Sequence, residues 1–259
     1  MMDDLSPAVL SPRLDVSGAE APIEPAAPEQ ASEASEAVPE VPERVLAVRN
    51  ASGHELATQL VAKLCHDFIS PAGAIMSGLD LLEDPSAQDM RQEALNLIAA
   101  SAKKMVTLVY FARVAFGAAT TSEAFSGREL NKILADMFDT MRAELDFDIA
   151  GDLHFPKPAA RALVNLGLIA GGSLPTGGKA HIETRRDADA IYFTATSKGP
   201  RARLKPEAIE GLSGLPLGEG LQGQWIQPHW LWSVVQEAGG TLDFTAEPEH
   251  LTFNIRMPL

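Results

Sequence analysis

Apolar residues recur in steps of three and four at Leu56, Leu60, Leu64, Phe68, Ala72, Ile75, Leu79 and Leu82, the period that places them on one stripe of a single long helix. That helix is expected to begin near Ser52 and to stop at Asp84, because Pro85 disfavours helical geometry in the residue before it. Ser86 and Asp89 stand at capping spacing for a second helix, whose stripe runs Met90, Ala94, Leu97, Ser101, Met105, Leu108, Ala112 and Ala115. Two long helices joined by a short turn form an antiparallel hairpin. A lone hairpin gives each stripe one partner, whereas two hairpins paired as a four-helix bundle bury far more, so the pattern predicts a homodimer; packing on the C-terminal half is the monomeric alternative.

After Gly117 the pattern becomes mixed. Ser126 and Glu129 form a capping-box pair ahead of a helix with Leu130, Ile133, Leu134, Met137, Phe138 and Met141 on one face. A strand-like piece from Glu144 to Ile149 precedes a helix opened by Pro158 and carrying Leu163, Val164, Leu166 and Leu168. Alternating segments Ala180 to Arg185 and Ala190 to Thr196 flank a hairpin turn at Asp187-Ala188-Asp189. Residues 197–227, rich in Gly, Pro and Leu, read as a long loop with a short helix near Glu207. Pro228 and Gly239-Gly240 bracket a last helix, and strands Thr241 to Thr245 and Leu251 to Met257 close the chain. The expected architecture is a helical hairpin over 51–118 followed by an α+β sandwich over 119–259, with helices on one face of an antiparallel-rich sheet.

Residues 1–50 have a different composition, dominated by Ala, Pro, Glu and Ser, and are expected to be a disordered acidic tail. The first 43 residues hold ten acids and one base, Arg13, so nine of the chain's fourteen net negative charges belong there. The folded portion is only mildly acidic and shows no cluster of Lys and Arg, which argues against nucleic acid or an anionic membrane as partner. No run approaches the apolar length of a spanning helix, and the first residues lack the features of a signal peptide; a cytoplasmic protein is expected. With one cysteine in 259 residues, an intrachain disulfide is excluded.

The chain has no Walker loop, no G-x-G-x-x-G, no paired-cysteine zinc pattern and no G-x-S-x-G. Its distinctive segment is Leu64-Cys65-His66-Asp67-Phe68-Ile69-Ser70-Pro71, within the first helix. His66 lies about 200° around the helix from Leu64 and Phe68, so its imidazole is expected to face solvent, with Lys63 and Ser70 on the same side and Cys65 rotated toward the buried one. A neutral imidazole is a competent nucleophile near neutral pH, and the Asp67 carboxylate can hold one ring nitrogen protonated while the other attacks. Lys63 could neutralise a phosphoryl group and Ser70 could hydrogen-bond to it or to a partner. His54, His154, His181, His229 and His250 lack such context and read as surface or hydrogen-bonded structural residues. Trp225, Trp230 and Trp232 read as packing.

His66-Asp67-Phe68-Ile69-Ser70-Pro71 resembles the H-box of two-component histidine kinases. The longer stretch Leu64 to Asp84, with Phe111 to Gly117 closing the second helix, resembles the ChpT-type bacterial histidine phosphotransferases over about residues 52–259. The resemblance implies a dimeric hairpin carrying the phospho-accepting histidine, followed by a degenerate copy of a kinase ATP-binding domain. By it, His66 would carry the phosphoryl group, oriented by Asp67, between the receiver domain of a hybrid histidine kinase and response-regulator receiver domains. The surface around His66, Ile69 and Ala74 would dock those receivers, which would supply the Mg²⁺; no cofactor or metal of the chain's own is expected. Kinases usually have a basic residue where Ile69 stands. The N-L-x-x-N-A stretch of a kinase appears as Asn165-Leu166-Gly167-Leu168-Ile169-Ala170, with an aliphatic residue that cannot ligate Mg²⁺ in place of the second Asn. The D-x-G-x-G carboxylate is missing at Ser197-Lys198-Gly199-Pro200-Arg201, and the phosphate loop is reduced to Gly218 to Gly223. The alternatives are an ATP-dependent kinase with divergent boxes and a receiver-binding adaptor without chemistry.

Overall fold

Ser52 opens the first helix with a capping box, its hydroxyl accepting from the Glu55 amide at 3.2 Å while the Glu55 carboxylate accepts from the Ser52 amide at 2.7 Å. The resulting helix α1, Gly53–Glu83, runs on through Pro71. The computed structural model describes residues 52–117, 124–149 and 151–259, so the expected acidic tail lies outside the described residues. The hairpin turn departs from the sequence expectation. The Asp84 side chain, accepting from the Ser86 amide at 2.8 Å, caps a 3₁₀ turn over Pro85–Met90, and helix α2, Arg91–Ala115, starts with no side-chain cap. Asp wins over Ser86 as the cap because it sits immediately before a proline already fixed in helical φ.

The α/β part begins with strand β1 (Ala124–Ser126) and helix α3 (Gly127–Phe138), capped by Ser126 and Glu129 as the sequence indicates. Strands β2 (Ala143–Asp148) and β3 (His154–Pro156), helix α4 (Lys157–Gly172), strands β4 (Gly178–Arg186) and β5 (Ala190–Lys198), helices α5 (Pro206–Leu212) and α6 (Gln222–Glu237), and strands β6 (Thr241–Glu247) and β7 (His250–Pro258) follow. The main sheet has the order β2-β4-β5-β7-β6, parallel between β2 and β4 and antiparallel elsewhere. The β4–β5 turn is tied by Asp187 accepting from the Asp189 and Ala190 amides. The two-stranded β1–β3 sheet was not evident in the sequence, since three-residue strands have too few positions to show a period.

Helix α6 starts six residues before Pro228, not at it. Trp225 and Ile226 are fully buried, and their burial, about 2–3 kcal/mol each, outweighs the roughly 3 kcal/mol that an internal proline costs. α4 is the central helix, almost wholly buried between the sheet and its neighbours, and the main core joins it to α3, α6, β4, β5, β7 and the end of α2. A second cluster joins Leu60 of α1 to Trp225 and Ile226 of α6. The hairpin and the α/β part thus belong to one compact unit. Against the expectation of no such run, Pro85–Ala115 contains an 18-residue window of mean hydropathy 1.2, long and apolar enough by length and composition to cross a membrane.

Candidate functional site

Helical phase puts the His66 imidazole in solvent: its side chain is 87% exposed. The Asp67 carboxylate spans two partners, with Oδ1 3.5 Å from His66 Nδ1 and Oδ2 2.8 Å from Lys63 Nζ. A carboxylate on that side of the ring favours the form protonated on Nδ1, in which Nε2 carries the lone pair. Lys63 is engaged by Asp67 and also lines two cavities beside His66. Its side chain is only 17% exposed, reaching one helical turn forward to Asp67 and lining cavities with Gly223 and Gln224. Cys65 is exposed, against the expected rotation toward the core, because the hairpin has no neighbour on that side in the single chain.

Ser70 is exposed one turn after His66, and Ile69, 69% exposed, presents an apolar side chain next to them. Ala74 is half-buried, so it offers less surface than expected. A cavity of about 380 Å³ lies beside the histidine, with His66, Ser70 and Lys104 from the hairpin and Met137, Leu168 and Gln227 from the α/β part among its lining. A second, of about 430 Å³, lies between His66 and Asp67 and the residues Leu221 to Gln224 at the start of α6. Both parts of the molecule therefore border His66.

The family model of the histidine phosphotransferase C-terminal domain matches residues 127–250. The protein phosphotransferase ChpT of Brucella abortus (strain 2308) is 31% identical over 204 residues, covering 78% of this chain and 96% of that protein. The chain belongs to the ChpT family of histidine phosphotransferases. A bacterial phosphotransferase solved at 1.7 Å superposes with a TM-score of 0.72 at 29% identity, covering 80% of this chain and 98% of the other. The catalytic domain of the histidine kinase ThkA aligns with 52% of the chain at 18% identity and a TM-score of 0.42.

In the α/β part of this phosphotransferase, the residues that stand at the kinase-like positions are already engaged by the chain itself. Asn165 is fully buried and its amide donates to the Ala115 carbonyl at 3.1 Å and the Arg161 carbonyl at 2.8 Å, while its oxygen accepts from Gln227. The reduced glycine loop is engaged too. Glu210 of α5 accepts from the Gly218 amide at 3.1 Å and Glu207 from the Leu221 amide at 3.2 Å, so two carboxylates of the chain itself lie where a phosphate cradle would offer N–H groups. Those contacts hold the Glu207 carboxyl below the usual range, its own backbone amide and that of Leu221 being the main causes.

Sequence reasoning missed Lys104 and Gln227 beside His66, since neither stands in a motif and both are brought there by packing of separate elements. Of the two readings the sequence leaves for His229, surface or hydrogen-bonded structural residue, the surface one fails. His229 is buried, stacked on Trp225 at 4.2 Å and near Trp232 at 5.3 Å, with no hydrogen-bond partner for Nδ1. Burial lowers its pKa. The repeated spacing Trp225, His229, Trp232 on one helical face was the available signal.

Proposed function

We propose that His66 is the phosphoryl carrier of this phosphotransferase, accepting the group from the aspartyl phosphate of an upstream receiver domain and passing it to the aspartate of a downstream one. Nε2 attacks phosphorus, the P–N bond forms as the acyl P–O bond breaks, and the bonding pair leaves with the receiver's carboxylate. The Nδ1 proton stays on the ring, where Asp67 offsets the positive charge that develops. Both phosphorylated species are high in transfer potential, so the step runs in either direction. The receiver supplies Mg²⁺ and the acidic pocket; this chain supplies a positioned nucleophile and a docking surface.

The reading is carried by one observation: a nearly fully exposed histidine with its Nδ1 toward a carboxylate that a lysine in turn holds. We propose further that the chain needs no nucleotide or metal of its own, supported by Ile169 in place of a ligand, the engaged Asn165 and the carboxylates on the glycine loop. Ser70 and Ile69 would meet the receiver, with Ala74 at the edge of that surface. Exposed Val61, Met76 and Leu79 on α1 and Val106 and Val109 on α2 suit a four-helix homodimer, so the apolar hairpin would face a second copy in a soluble cytoplasmic protein.

The test is incubation of the chain and its His66→Ala variant with phosphorylated receiver domains. The wild-type chain should gain an acid-labile, base-stable phosphoryl group and the variant none, with its oligomeric state unchanged. Transfer through the variant would remove the proposal.

A further inference from the structure

A helix leaves its last carbonyls without intrahelical donors, and α2 ends on Val114 and Ala115, both buried. The chain leaves the helix at Gly117, whose φ of +67° is the left-handed conformation that glycine adopts without strain. The Ala115 carbonyl, on a fully buried residue, accepts from two side chains of the α/β part: the Asn165 amide of α4 at 3.1 Å and the Trp230 indole N–H of α6 at 2.8 Å. The Gly117 carbonyl accepts from the Arg161 guanidinium of α4 at 3.0 Å, a cation at the negative end of the helix. Gln227 of α6 donates to the Asn165 oxygen and so ties α4 and α6 into the same group. Trp230 also packs on Phe116, ring centroids 6.0 Å apart.

We infer that Arg161, Asn165, Gln227 and Trp230 form a clamp that caps α2 from the α/β domain and fixes the angle between that domain and the hairpin, the geometry on which a receiver docks at His66. Asn165 is thus a positioning residue: the side chain that survives from a kinase-like N-L-x-x-N-A stretch holds two domains together. Both cavities beside His66 are lined from the hairpin and from the α/β part, so a change in the angle alters the dock without touching the imidazole. Gln227 links the two features, since it bonds Asn165 and lines the cavity with His66.

The inference rests on His66 as carrier, and the experiment separates the two. Trp230→Phe, which removes only the indole N–H, and Asn165→Leu are compared with the wild-type chain in three measurements. Labelling of His66 by phosphoramidate, a donor that needs no dock, should be unchanged. Transfer from a phosphorylated receiver should show KM raised about tenfold or more with kcat nearly constant. Spin labels at Ser77→Cys and Thr245→Cys, both exposed positions, in a Cys65→Ser background diluted with unlabelled protein, should show a broadened distance distribution. An unchanged KM with a narrow distribution in folded Trp230→Phe overturns the clamp, as does an equal loss with phosphoramidate, which would place the fault at His66 itself. Should Asn165→Leu not fold, Trp230→Phe alone decides. If the wild-type chain accepts nothing from any receiver, the carrier reading fails, and the distance measurement still decides the clamp.

Discussion

Asp67 is the hinge of the site's electrostatics, because one carboxylate serves two partners at unequal distances. The 2.8 Å contact to Lys63 fixes the carboxylate, and the 3.5 Å approach to His66 Nδ1 uses it. Asp67→Asn could turn its amide N–H toward Nδ1, which would favour the other ring form and put the proton on the attacking nitrogen. Phosphoramidate labelling of His66 should then slow by about ten- to a hundredfold, within the range of general acid–base effects; an unchanged rate would show that the carboxylate has no orienting role. Lys63→Met should slow labelling less and leave stability almost unaltered. A lysine preceding its acid by four residues is the weaker helical order, and a partly exposed pair of this kind contributes about 0.3 kcal/mol. Urea denaturation of the two variants checks this. The adjacency of His66 and Asp67 was legible in the sequence, and so was the exposure of the imidazole, since both follow from helical phase. The withdrawal of Lys63 from solvent was not, because it depends on which partner a flexible side chain chooses.

At Gly78 helices α1 and α2 pack so tightly that an added Cβ would come within 2.6 Å of Ile98 Cγ1 and 3.2 Å of the Ala94 carbonyl. Alanine gains about 1 kcal/mol of helix propensity over glycine, but the clash with the Cγ1 of a stiff β-branched side chain costs about 1–3 kcal/mol. Gly78→Ala should therefore lower the melting temperature, and a rise would mean that the hairpin can open at no cost. Packing likewise decides α6, where the sequence placed the start at Pro228 because proline is the strongest local signal. The burial of Trp225 and Ile226 lies in contacts with α1 and α5 that no local pattern reveals. On the same face, burial holds the pKa of His229 below its ordinary value. The unfolded chain then binds a proton more readily than the folded one as pH falls below about 6.5. This contribution to stability is complete above that pH and is lost as pH drops through the window beneath it. His229→Gln should flatten that part of the profile, measured as urea midpoints between pH 5 and 8; an identical slope would place the titration elsewhere.

Fold class, the β4–β5 hairpin and the helical hairpin were legible because they rest on sustained periods and a turn signal, whereas the division of the helical hairpin's apolar surface between its own two helices and a second copy was not. The sequence joins Leu60, Leu64, Phe68 and Leu79 into one stripe. In the single chain only Leu60, Pro71 and Gly78 of α1 are buried, while Val61, Met76 and Leu79 remain exposed. Val61, Cys65, Ala72, Met76 and Leu79 follow one another in steps of three, four or seven, so they form a second face beside the first, wide enough to seat another hairpin. A carboxylate at such a seam would have to be buried without a partner, which costs several kcal/mol. Met76→Glu combined with Val61→Glu should therefore convert the proposed dimer to a monomer in sedimentation velocity. The positions lie away from Asp67 and Lys63, and both groups that hold the His66 ring come from its own chain. The monomer should consequently keep its phosphoramidate labelling at nearly the wild-type rate. A double variant that stays dimeric would place the interface on another face, and one that becomes monomeric and loses labelling would mean that the second copy completes the site.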